Sequence, residues 1–236
     1  MTASLYDSPT WRGVFHDTEL SPLFTDTAEL RAKLLVMGTL ALTQAKASQI
    51  PDVSAQAIQR ASMEVQVDPA ALSAMTAETG DPVIALVAEF GKEMQAPEHA
   101  KWIHFESDPA LTAATGLSLR LRQSFKIIAA RLGQDETPTF SAYHQDAAIS
   151  EGVAGGLGLR DGHGTDPVKD IQSIADWISA AAAAVQTQTP ADAAIQHQMP
   201  HLNAALQSAS PKTAPLVQAM TLPQMVLGLG RLIAPK

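Results

Sequence analysis

The chain contains no cysteine. That excludes a disulfide framework, a cysteine nucleophile, an iron–sulfur cluster and any thiolate zinc site. Aromatic residues are scarce, at 5% of 236 positions, so stacking platforms for bases or sugars are not expected. Cations are outnumbered: 16 Lys and Arg stand against 24 Asp and Glu, a net charge of −8, with no run of Lys or Arg. Such a surface repels phosphate backbones, which argues against a nucleic-acid partner. Long apolar runs are missing too. Ala180–Val185 is mostly alanine and far too short to span a bilayer. The opening MTASLYDSPTWRG has neither an apolar signal core nor an Arg-rich amphipathic pattern. The expectation is a cytoplasmic protein with no membrane contact.

What is present favours helices. Hydrophobic residues make up 46% of the chain, enough for the core of one large or two small domains. Alanine, the best helix former, is abundant. Leu30, Leu34, Met37, Leu40 and Ala41 form one stripe of a helix starting at Asp26 or Thr27 and stopped by Ile50-Pro51. Further helices are expected over Asp52–Met63, from Asp68-Pro69 to Thr79, and over Pro82–Met94. Asp followed by Pro supplies a cap and a first helical residue, and Gly80 a C-terminal stop. Two long helices follow, from Asp108-Pro109 to Gly133 and from Asp166-Pro167 to about Gln186. Between them, Thr139–Ile149 is expected to be helical and Gly152–Gly164 a flexible loop. Prolines 190, 200, 211, 215 and 223 interrupt a helical C-terminal third. The spacing therefore predicts an all-α helical bundle, with a short-helix region over 1–100 and a longer-helix bundle over 101–236. Its small-residue faces suit packing between subunits.

The residues alone specify no reaction. His197 and His201 stand four apart, as metal ligands on one helix face would. No carboxylate lies between them in the HExxH manner and Pro200 disturbs the helix there, so no metal is expected. The glycines from Gly152 to Gly164 lack the Gly-Lys-Ser/Thr and the preceding strand of a nucleotide-binding loop, so no cofactor is expected. His163, between two glycines, reads as exposed. Asp108 reads as a helix cap, and Trp177 as core.

Longer stretches carry a resemblance. FHDTELSPLFTDTAELRAKLLVMGTLALTQAKASQIP, DPAALSAMTAETGDPVIALVAEF and WIHFESDPALTAATGLSLRLR resemble the 3-carboxy-cis,cis-muconate cycloisomerases of the fumarase/aspartase/adenylosuccinate lyase superfamily. DIQSIADWISAAAAAV is similar to the central bundle helix of that family, and QMPHLNAAL more faintly to its flexible signature loop, G-S-S-x-M-P-x-K-x-N-P. The third segment matches W-x-H-x-G-A-T-S-Q-D-x-x-D-T, with Trp102, His104, Thr115, Leu117, Leu119, Leu121 and Arg122 in place. The resemblance implies a helical tetramer that adds a nucleophile across a double bond conjugated to a carboxylate, or eliminates it. In the cycloisomerase the nucleophile is an internal carboxylate and the product a lactone.

The departures fall on the polar positions. Where the family has G-A-T-S-Q-D, this chain has Glu106, Ser107, Asp108, Pro109, Ala110 and Leu111. Hydroxyls and an amide that hold a substrate carboxylate give way to carboxylates, which repel anions. In the signature loop Gln196 and His197 replace the paired serines and Leu202 the lysine, while Met199, Pro200, His201 and Asn203 remain. The family's C-terminal domain has no counterpart. Trp102, His104, His201 and Asn203 are the candidate remnant pocket. His104 is either an acid or base, or a half-buried histidine at the start of a helix. The resemblance thus implies a shortened homologue, impaired or inactive in catalysis, acting as a binding, regulatory or scaffold protein. It would assemble with its own copies or a full-length paralogue, a small carboxylate being a possible ligand. The alternative is an active cycloisomerase with a rebuilt site.

Overall fold

A computed structural model describes residues 9–10, 16–188, 200, 226–231 and 233. Within it the helices begin where side chains satisfy the free amides of a first turn. Helix α1, Asp26–Lys46, is capped by Thr25, one position ahead of the expected cap, whose side chain accepts from Ala28 N. Helix α2, Asp52–Glu64, starts directly after Pro51. Asp68 caps a single 3-10 turn, Pro69–Leu72, that leads into α3, Ser73–Thr79. Gly80 then closes α3 at φ 73°, a left-handed geometry that costs glycine nothing. Asp81 caps α4, Pro82–Glu93, and a short α5, Pro97–Ala100, follows. Asp108 accepts from Ala110 N at the start of α6, Pro109–Leu132, and Gly133 follows that helix at φ 62°.

The segment after α6 departs from the sequence expectation. Thr139–Asp146 is not helical. Ser141–Ala142 forms strand β1, and the helix α7, Ala147–Leu157, begins only at the Asp146 cap. Arg160–Asp161, strand β2, pairs parallel with β1. The expected Gly152–Gly164 loop is therefore helix over nearly half its length, as far as Leu157. The reason is packing: a Cβ at Gly152 or Gly156 would overlap the methyl groups of Thr43 and Thr39 on α1. These glycines let α7 lie close against α1, which outweighs their weak helix propensity. Helix α8, Pro167–Gln188, matches the last long helix expected. Apart from these two-residue strands, the all-α reading holds among the described residues.

The chain gathers into two compact units. One comprises Thr25–Leu121 and Phe140–Pro167, so it holds α1–α5, the first half of α6, both strands and α7. Its main core joins Leu34, Met37, Ile58, Leu86 and Phe90, all essentially inaccessible to solvent. Burying each such side chain contributes about 1.5–3 kcal/mol. A smaller cluster of Leu40, Ala142, Ile149, Val153 and Ala154 sits where α7 meets α1. Lys33 and Arg120 both pair with Glu29, at 2.5 and 3.2 Å, tying α1 to α6.

In the other unit Phe125 of α6 packs on Trp177 of α8, with ring centroids 5.1 Å apart. Arg131 grips the Asp17 carboxylate with two nitrogens, at 2.7 and 3.0 Å, and also reaches Glu19. Leu20, Ile128 and Ile178 are buried.

Candidate functional site

The site lies on the connection between α5 and α6. Backbone bonds from Trp102 N to His99 O and from Ile103 N to Ala100 O wind the chain tightly out of α5. His104 and Glu106 then adopt φ of 57° and 45°. Such angles place Cβ near the following carbonyl and cost a non-glycine residue about 1–2 kcal/mol. Position 106 is the one matched to the glycine of the family pattern. The turn is held in shape by a backbone bond from Ser107 N to His104 O and by five bonds that involve side chains. His104 Nε2 lies 2.8 Å from Thr112 Oγ1. Gln44 Nε2 and Ser107 Oγ both donate to Phe105 O, at 2.7 and 3.0 Å. Gln145 Nε2 donates to Glu106 O. His144 Nε2 lies 3.2 Å from Ser107 Oγ.

The direction of these bonds decides what chemistry is open to them. His144 Nδ1 accepts from Asp146 N at 3.0 Å, so in the neutral ring the proton sits on Nε2. His144 Nε2 therefore donates to Ser107 Oγ, and Ser107 donates onward to Phe105 O. A serine nucleophile needs the reverse, a bare imidazole nitrogen to take its proton. The Ser107–His144 pair is thus a structural brace in this conformation. Burial lowers the pKa of both His104 and His144, and keeps each imidazole neutral near pH 7. For His104 this outweighs the opposing influence of Asp108 and Asp81, and His144 adds to the lowering. For His144 it outweighs the Asp146 contacts, with His163 adding to the lowering.

Of the four remnant-pocket residues, the structure describes two. His104 is half-buried. Trp102 packs on the main core and stands 5.0 Å from the Phe105 ring, with Lys101 Nζ over its face. His201 and Asn203 lie outside the described residues, as does His197. Asp108 is the helix cap that was expected. His163 is exposed, and its ring Nδ1 lies 3.3 Å from His144 O. Among the described residues no group of His, Asp or Glu is arranged to hold a metal ion, and no helix is long and apolar enough to cross a membrane. Sequence reasoning missed Ser107, Thr112, His144, Gln145 and Gln44 as partners of the turn. The contacts of Ser107 with Phe105 and of His104 with Thr112 are local, two and eight residues apart. His144, Gln145 and Gln44 come from 37 to 61 residues away.

Comparison with known proteins bears on what this frame is. No family model matches the chain. A stretch of 136 residues is 29% identical to 3-carboxy-cis,cis-muconate cycloisomerase of Pseudomonas putida, covering 57% of this chain. That match spans only 31% of the relative's own length. Among solved structures, beta-carboxy-cis,cis-muconate cycloisomerase from Acinetobacter calcoaceticus superposes with a TM-score of 0.71 at 14% identity, covering 95% of this chain and 76% of that one. The 3-carboxy-cis,cis-muconate lactonizing enzyme from Pseudomonas putida gives 0.71 at 16%, covering 96% and 74%. Fumarate lyase from Mesorhizobium sp. BNC1 gives 0.63 at 12%, covering 92% and 73%. At these identities the structural likeness is one of fold. Over the 136-residue stretch the chain is similar in sequence to a 3-carboxy-cis,cis-muconate cycloisomerase, and the chain shares its helical fold with the solved structures above.

Proposed function

We propose that this chain keeps the helical frame of a cycloisomerase without its lactonising activity, and serves as a binding or scaffold protein. The observation that carries this reading is the α5–α6 turn. Its hydroxyl, imidazole and carbonyl groups are spent on one another, and Glu106 and Asp108 add negative charge to it. An anionic substrate needs free donors and positive potential, and a developing dianion needs them more. The apolar positions around the turn, by contrast, form a packed core. Selection on packing rather than on chemistry produces that combination. The natural partners on this reading are further copies of the chain or a full-length homologue sharing the bundle.

The test is turnover. Purified protein is incubated with 3-carboxy-cis,cis-muconate and the ultraviolet absorbance followed. No change above the uncatalysed rate is expected. Turnover that His104→Ala abolishes would overturn the proposal, and would make the neutral imidazole of His104 the base.

A further inference from the structure

We infer that His144 is a proton-operated latch. Its neutral ring ties the His104–Asp108 turn to the start of α7, and a second proton releases it. The chain of donors runs one way: Asp146 N–H to His144 Nδ1, Nε2–H to Ser107 Oγ, and Ser107 O–H to Phe105 O. An imidazolium carries a proton on both nitrogens. Its Nδ1–H would then face the Asp146 N–H, donor against donor, and leave that amide without its acceptor. The ring is largely buried, being 8% exposed.

Every charged or titratable group facing His144 acts on this equilibrium. The Asp146 carboxylate attracts the extra proton, and its Oδ1 also accepts from Ala148 N and Ile149 N as the cap of α7. His163, from the connection after β2, opposes it and is itself held by the Asp161 carboxylate through its backbone N–H. His104, on the turn, also opposes it, and Asp108 and Asp81 stand near His104 in turn. Burial weighs against the charged ring most of all. The sign follows. A histidine held below its ordinary range stabilises the closed state fully above that range, and loses the contribution as pH falls through the window beneath it.

The closed turn is also poised to open. Gln44 is 1% exposed and gives its Nε2 to Phe105 O, yet its Oε1 has no hydrogen-bond partner among the described residues. Opening hydrates that oxygen and frees the Ser107 hydroxyl and the Phe105 carbonyl. The latch is independent of whether the chain turns over any substrate.

Backbone hydrogen exchange of the whole chain tests it, read at the Ser107 and Asp146 amides after correction for intrinsic rates. With an ordinary imidazole near 6.5 in the open state, opening should rise as pH falls from about 7.5 to about 5.5, by at most about tenfold. The rise should vanish in His144→Gln, which keeps a donor in place of Nε2, and in His144→Asn, which keeps an acceptor in place of Nδ1. It should persist in His104→Gln and His163→Gln. A rise that survives in a folded His144 variant, or disappears in either of the other two, overturns the latch. So does a ring nitrogen spectrum of the unaltered protein showing the neutral His144 proton on Nδ1.

Discussion

Two contacts made by α1 show opposite ways of fixing a structure. Against α7 it presents the methyls of Thr39 and Thr43 to Gly152 and Gly156, and specificity comes from the absence of side chains. Toward the α5–α6 turn it presents Gln44, one of several polar groups that determine the turn through directed hydrogen bonds. The first contact tolerates no added volume and is indifferent to charge. The second tolerates volume at the exposed Glu106 but depends on the protonation of one ring. Packing holds the fold shared with the superposed solved structures, whereas the turn is set by individual directed hydrogen bonds.

Three substitutions probe the contrast. Phe90→Ala empties the centre of the main core and should cost about 3–5 kcal/mol in chemical denaturation. A loss below about 1 kcal/mol would show that the frame is not held by packing. Gly152→Ala adds one methyl against Thr43 and should cost about 1–3 kcal/mol, through overpacking rather than helix propensity, which favours Ala. Stabilisation there would mean that the α1–α7 contact is looser than its geometry. Glu106→Gly has the smallest effect and the opposite sign. Relief of the left-handed strain exceeds the entropy that glycine loses on folding, for a gain of about 0.5 kcal/mol in melting experiments.

The ends of the helices were readable because their signals are local. Asp68, Asp81 and Asp108 each precede a proline and each caps a helical turn, and Gly80 and Gly133 take the left-handed geometry that stops one. Gly152 and Gly156 misled for the same reason. By local propensity glycine reads as a loop, and the neighbour that makes it valuable here is a helix more than a hundred residues earlier in the chain. By local pattern Thr139–Ile149 reads as helical throughout, because the partner of its two-residue strand lies on the far side of α7. The site divided likewise. The Asp108 cap is legible from the local sequence, and Trp102 and His104 are singled out by the resemblance alone. The bracing of the turn by His144 and Gln44 was not, since a hydrogen bond between distant residues leaves no periodic trace in the sequence.

The Glu29 carboxylate between Lys33 and Arg120 has a consequence for how this protein meets its solvent. Dissolved ions weaken an attraction only where they can come between the charges. The side chains of Lys33 and Arg120 are 4% and 11% exposed, against 67% for Lys92 in its pair with Glu89. With Glu29 itself 36% exposed, the tie between α1 and α6 should weaken as salt is added, but less than the pair of Lys92 with Glu89.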